Sequence, residues 1–223
     1  MKNANPFPGL RAFSAAESHL FFGRETATDE LLRKLRTNRF IAVVGTSGSG
    51  KSSLVLAGML PDLHGGFMAS AGSSWRVAVL RPGDAPIHAL AAALAAPSVF
   101  GANDESDDMR PAITETVLRR GALGLVEATR QARLPARENL LVLVDQFEEL
   151  FRFKQSGGGQ GAANEAAAFV KLLLEAVRQD ELPIYVVLTM RSEYLGDCTQ
   201  FRDLPEAIIA WRRCSRVIRG IKY

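Results

Sequence analysis

The chain has 223 residues, 47% hydrophobic and 23% charged, with a formal net charge of +3. That size and balance suit a soluble globular domain with a full core. They exclude a disulfide framework, since Cys198 and Cys214 are the two cysteines, and a membrane span, since no apolar run approaches the required eighteen or so residues.

The charge is unevenly placed. Arg212, Arg213, Arg216, Arg219 and Lys222 crowd into residues 211–223 with no acid among them. Without that tail, acidic residues outnumber basic ones, so the body of the chain makes no case for binding nucleic acid. Met1-Lys2-Asn3-Ala4-Asn5-Pro6 lacks the apolar core of a secretory signal, and a cytoplasmic location without membrane contact is expected.

Residues 1–22 read as an extended lead-in. Pro6 and Pro8 forbid regular helix or central strand there, and Phe7, Leu10 and Phe13 are candidate anchors. Leu31, Leu32 and Leu35 share one face of residues 27–39, which predicts an amphipathic helix. Residues 40–44 form a first strand. Residues 53–60 predict a helix that Pro61, Gly65 and Gly66 end. Residues 75–80 form a second strand, turned by Arg81-Pro82-Gly83-Asp84 into an alanine-rich helix at 86–95. Residues 97–110 suggest a mobile loop, and 111–133 a helix broken near Gly121. Leu140-Leu141-Val142-Leu143-Val144 is apolar without alternation, as a strand buried on both faces of a parallel sheet must be. Residues 156–161 form a Gly-rich connector. A helix over 163–179 buries Phe169, Val170, Leu173 and Val177, and residues 184–188 make a fourth strand. Strands alternating with helices predict an α/β fold, its parallel sheet covered on both faces.

Between the first strand and its helix stands Gly45-Thr46-Ser47-Gly48-Ser49-Gly50-Lys51-Ser52, which fits the phosphate-binding loop G-x-x-x-x-G-K-[ST]. Strand, glycine loop and helix are the context this motif needs. The glycines let successive N–H groups point into one concavity, and the helix start adds its dipole end. Thr46, Ser47 and Ser49 contribute backbone and small side chains, and Ser53 completes the cradle. Lys51 can reach β- and γ-phosphates, and the Ser52 hydroxyl is a ligand for Mg2+.

Asp145 ends the third strand, where a carboxylate can face the same metal; a helix-capping Asp is the alternative. In Asp145-Gln146-Phe147-Glu148-Glu149, Gln146 can orient water but cannot take a proton. Glu148 is preferred over Glu149 as the water-activating base, and both acids stabilising a helix start is the plainer reading. Hydrolysis should then be slow. Arg191, ending the fourth strand, can face a γ-phosphate or pair with Glu193.

These motifs together resemble the bacterial novel STAND NTPases, signal-transduction ATPases related to AAA+ proteins and often placed ahead of WD40 repeats. The marks are Asn5-Pro6-Phe7-Pro8-Gly9-Leu10-Arg11-Ala12-Phe13, Phe22-Gly23-Arg24-Glu25, the phosphate loop continued by Ala57-Gly58-Met59-Leu60-Pro61, Arg81-Pro82-Gly83, Asp145-Gln146-Phe147-Glu148-Glu149-Leu150-Phe151 and Thr189-Met190-Arg191-Ser192. The resemblance implies a P-loop NTPase three-layer sandwich of strand order 5-1-4-3-2. It implies Gly23, Arg24 and Glu25 near the adenine or ribose, Arg191 as sensor arginine, and ATP rather than GTP. It also implies a switch between a closed ADP form and an open, oligomeric ATP form, with partner proteins bound through C-terminal repeats that this chain lacks.

The resemblance spans residues 5–209, so an NTPase domain over 23–209 and an atypical basic tail over 210–223 are expected. The tail reads as the product of a truncated gene or a shifted frame, with residues 215–223 a candidate for the fifth strand. Two other functions stay open: a nucleotide-binding interaction module that hydrolyses nothing, and a DNA-associated AAA+-like ATPase, for which the basic tail alone speaks.

Overall fold

Four parallel strands, β1 (Phe40–Gly45), β2 (Ser74–Leu80), β3 (Glu138–Val144) and β4 (Ile184–Arg191), form one sheet in the order β1-β4-β3-β2. The computed structural model describes residues 9, 11–66, 74–101, 109–135, 137–155 and 159–213. The expected fifth strand at 215–223 lies outside them, as do Phe7 and Leu10 of the lead-in, residues 102–108 of the predicted loop, residues 156–158 of the connector, and Cys214. The strand order matches the implied 1-4-3-2.

The two-residue period of each strand sorts the core into two layers. Ala42, Leu140, Val142, Val144, Val186, Leu188 and Met190 fill one face. Helices α4 (Pro86–Leu94), α5 (Arg110–Leu118), α6 (Gly124–Ala132) and α8 (Gly159–Arg178) supply their partners there, among them Leu90, Leu94, Leu118, Leu125, Phe169 and Leu173. Ile41, Val43, Leu141, Leu143 and Val187 fill the other face, under Leu31, Leu32 and Leu35 of α1 (Glu25–Leu35) and Leu54, Val55 and Met59 behind the phosphate loop. Register carries this second face to the sheet's carboxyl edge. Gly45 pairs with Arg191, Leu143 with Val187 and Val79 with Leu143. Two residues further along their chains, Asp145, Thr189 and Arg81 therefore share the face of the phosphate-loop helix.

That helix does not stop at Pro61. It starts as α2 (Lys51–Ser53), widens into a π-helical stretch (Leu54–Met59), and continues as α3 (Leu60–His64). Pro61 has no N–H and its ring crowds the carbonyl four residues back. The turn before it is wound wider, with the Leu60 N–H donating to Val55 O. Gly65 and Gly66 then end the helix, Gly66 at φ +87°. Gly58 sits where α1 crosses: a Cβ there would lie 2.6 Å from Thr28 Oγ1.

Three other stretches differ from the sequence reading: within the expected extended lead-in, Ala15–Leu20 form a 3-10 helix, and two helix boundaries lie elsewhere. Helix α1 ends at Leu35, and the Arg39 guanidinium reaches away to the carbonyls of Gln179 (2.5 Å) and Leu182 (3.3 Å). Helix α8 begins at Gly159, so residues 159–161 are helical rather than connector. After β3, residues 145–148 make a turn before α7 (Glu149–Gln155). The turn is pinned from below by Phe147, whose ring meets Phe151 edge-on at 5.9 Å, while Phe151 stacks on Tyr194. Helix α9 (Leu204–Arg213) follows two short 3-10 turns after β4.

Candidate functional site

The phosphate loop is a glycine-rich turn that folds around its own lysine. Gly48 (φ +72°) and Gly50 (φ +76°) take left-handed backbone, which a side chain would strain. A Cβ on Gly48 would meet nothing within 4 Å, whereas one on Gly45 would press on Ser49 Oγ at 2.9 Å. The Lys51 ammonium arches back to the Thr46 carbonyl at 2.7 Å and to Ser49 Oγ at 3.5 Å. Burial pushes its pKa below the ordinary lysine value, and the nearby Glu148 carboxylate works against that shift. Lys51 is thus a partly desolvated cation held against the phosphate loop.

Gly23, Arg24 and Glu25 stand beside this loop. The Glu25 carboxylate accepts the Gly23 N–H at 2.9 Å, and backbone N–H groups hold its pKa below the carboxylate range. Arg24 Nη2 reaches the Ser49 carbonyl at 3.5 Å. Ser53 faces elsewhere: its hydroxyl accepts the Phe13 N–H at 3.2 Å, tying the lead-in to the helix start.

Asp145 is 3% exposed and carries three donors. Its Oδ1 accepts the Ser52 hydroxyl at 2.5 Å and the Thr189 hydroxyl at 2.7 Å, and its Oδ2 lies 3.4 Å from Arg81 Nε. Residue 146 turns the chain at φ +57°, with its N–H donating to Thr189 Oγ1 at 3.0 Å. In its hydrogen-bonded orientation the Gln146 amide accepts from Arg81 Nη2 and donates to Glu149 Oε1, each at 3.2 Å. Both ends of that amide are engaged. Glu149 Oε2 accepts the Gly83 N–H at 3.0 Å and so faces the turn after β2. Glu148, 5% exposed, turns the other way, toward Lys51 and Arg191. Arg191 pairs with Glu148 rather than with Glu193.

The structure therefore brings Lys51, Ser52, Asp145, Glu148 and Arg191 together and leaves Glu149 apart from them. Sequence reasoning assigned no role to Thr189 or Arg81, although both stand in quoted motifs. The available signal was strand period: Thr189 is two residues from Arg191, hence on its face, and Arg81 directly follows a strand tip.

The oxygen donors Ser52 and Asp145 suit a hard cation such as Mg2+. The Ser52 proton is committed to Asp145, which leaves the hydroxyl lone pairs free for a metal. Among the described residues no group of three or more His, Cys, Asp or Glu could hold a metal ion. Mg2+ bound through one or two protein ligands plus phosphates and water needs none. Among the same residues, no helix is long and apolar enough to cross a membrane.

A glycine loop between a parallel strand and its helix, facing a buried carboxylate two strands across, is the signature of a P-loop NTPase. Residues 6–216 match the family Novel STAND NTPase 1, and the chain belongs to that family. Among solved structures, a Walker-type ATPase of Pyrococcus abyssi matches with 18% identity and a TM-score of 0.49, over 87% of this chain and 51% of that one. The chain thus spans about half of that protein's length. No curated protein matches it.

Proposed function

We propose that this STAND-type NTPase is an ATP-driven regulatory switch that binds ATP with Mg2+ and hydrolyses it slowly to ADP. The observation that carries this reading is the 2.5 Å bond between Ser52 and Asp145 beside a glycine loop that holds Lys51. It joins a phosphate site to a metal site across 93 residues of chain. Lys51 and the loop amides from Gly45 to Ser52 would hold the triphosphate, with Gly23, Arg24 and Glu25 beside the nucleoside. Ser52 and Asp145 would hold the metal, which lowers the charge on the phosphates. Glu148 would accept the proton of the attacking water, and Arg191 would report the γ-phosphate.

Slow turnover follows from the Glu148–Arg191 pair. A carboxylate already held by a guanidinium is not free to meet the attacking water until that pair opens. The same pair favours a second reading, a nucleotide-binding interaction module that does not hydrolyse. Residues 23–209 would form the NTPase domain, 1–22 a lead-in and 210–223 a basic tail. Nucleotide-dependent self-association and partner recognition outside the NTPase domain complete the proposal.

The deciding experiment is to identify the nucleotide that copurifies with the chain and ask whether Mg2+ chelation releases it. ATP or ADP lost on chelation supports the reading. ATP binding with phosphate release no higher than in a Lys51→Ala variant favours the non-hydrolysing module. No bound nucleotide and no ATP affinity would remove both.

A further inference from the structure

We infer that Thr189 is a positioning residue, whose single hydroxyl sets both the metal-facing carboxylate and the turn that delivers Glu148. The inference rests on the nucleotide and metal reading above. Thr189 is 1% exposed, and its hydroxyl both donates and accepts within the site. It donates to Asp145 Oδ1 at 2.7 Å and accepts the Gln146 N–H at 3.0 Å. Its own carbonyl accepts the Phe147 N–H at 2.9 Å. Three consecutive residues of the Asp145-Gln146-Phe147 turn thus hang on one residue of the neighbouring strand.

The consequence for Asp145 is orientational. A free carboxylate at a strand tip rotates about its χ2. Here Oδ1 is held by two hydroxyls, so Oδ2 is directed outward, toward Arg81. Ser52 belongs to the helix that opens directly from the phosphate loop, whereas Thr189 lies within the sheet, opposite Val43 of β1. Thr189 is therefore the donor that keeps Asp145 aligned independently of the loop.

The consequence for Glu148 runs through the backbone. Gln146 is a non-glycine residue in left-handed conformation, a cost that its N–H bond to Thr189 offsets. That turn buries Phe147 and leaves Glu148 toward Lys51 and Arg191. Valine has the shape of threonine and none of its hydrogen bonds, so Thr189→Val keeps the packing and removes the clamp.

The test is calorimetric titration of the full chain with ATP, in MgCl2 and in EDTA, for wild type, Thr189→Val, Thr189→Ala and Thr189→Ser. Partners that orient metal ligands typically control metal affinity ten- to a hundredfold. The Val variant should lose about tenfold or more of the gain in ATP affinity that Mg2+ confers, while its affinity in EDTA stays at the wild-type value. Ser should restore the gain, because it keeps the hydroxyl. Ala should behave as Val, and it supplies the comparison if Val does not fold. A purely structural role would weaken both arms equally and would overturn the inference, as would a Val or Ala variant with the full Mg2+ gain, or a Ser variant without it. A wild-type chain that binds ATP equally with and without Mg2+, or not at all, would instead remove the metal or nucleotide reading, and this inference with it.

Discussion

Arg191 grips the Glu148 carboxylate with two groups: its Nε lies 3.2 Å from Oε1, and its backbone N–H donates to Oε2 at 3.3 Å. The two residues end different strands' worth of chain and meet because β4 and β3 are neighbours in the sheet. Glu148 is nearly buried, with 6% of its side chain exposed, while Arg191 is 40% exposed. The pair is therefore asymmetric: the carboxylate depends on the guanidinium more than the reverse.

Arg191→Ala should lower stability by roughly 1–2 kcal/mol, less than the 3–5 of a fully buried broken pair because Arg191 is solvent-screened. Urea unfolding measures it. Adding Glu148→Gln removes the uncompensated charge, so the double variant should regain most of the loss. A double variant no more stable than Arg191→Ala alone would show that the pair does not hold the buried carboxylate.

Glu148→Gln should leave ATP affinity within a few-fold of wild type and slow single-turnover hydrolysis about a hundredfold, the scale of general-base catalysis. Glu149→Gln should leave that rate nearly unchanged, since its carboxylate faces the Gly83 N–H instead. The reverse ranking would exchange the two roles.

Lys51→Ala should abolish measurable ATP binding. The lysine also sets a pH dependence. Burial lowers its pKa in the folded chain below the unfolded value of 10.5. Between the folded and unfolded pKa values the unfolded chain binds more protons, so this group's contribution to stability rises with pH through that window. ATP affinity should move oppositely, falling with rising pH before pH 10.5 as the ammonium is lost. Affinity that stays flat up to 10.5 would mean that triphosphate binding does not use the Lys51 charge.

Gly58→Ala should cost about 1–3 kcal/mol by overpacking, because its methyl would press on Thr28 of α1 at 2.6 Å. Thr28→Ser removes Cγ2 but keeps the clashing oxygen, whereas Thr28→Ala removes both. Thr28→Ala should rescue more of the thermal midpoint of Gly58→Ala than Thr28→Ser does, and not all of it, because Phe21 Cε1 would still lie 3.3 Å from the new methyl.

Cys198 should resist alkylation in the native chain. It is 1% exposed, and burial pushes its thiol up to about 11. Site-resolved mass spectrometry after iodoacetamide, with and without denaturant, checks this. Native labelling at Cys198 would contradict the packing of β4 against the chain that follows it.

Much of the fold was legible because its signals are local. Leu140 to Val144 could only be a strand buried on both faces, and glycines 45, 48 and 50 with Lys51 and Ser52 announce a phosphate loop within eight positions. The helix after the loop was misread at Pro61, because proline's rule against helix interiors is local. The structure evades it with a wider turn, stabilised by packing against α1. Helix α8 starts earlier than the glycines suggest, and packing does not explain it, since Gln160 and Gly161 are exposed and a Cβ on Gly161 would meet nothing within 4 Å.

The amino-acid order alone determined the class of fold, the family and the phosphate-binding loop, since each rests on contiguous residues whose backbone and side chains act together. Sheet register decided the rest. It set Thr189 beside Asp145, turned Glu148 to Arg191 and Glu149 to Gly83, and brought Arg81 to the buried Asp145 carboxylate. Those partners come from strand ends far apart in the chain, and a shift of one residue in pairing would send each side chain to the opposite face of the sheet.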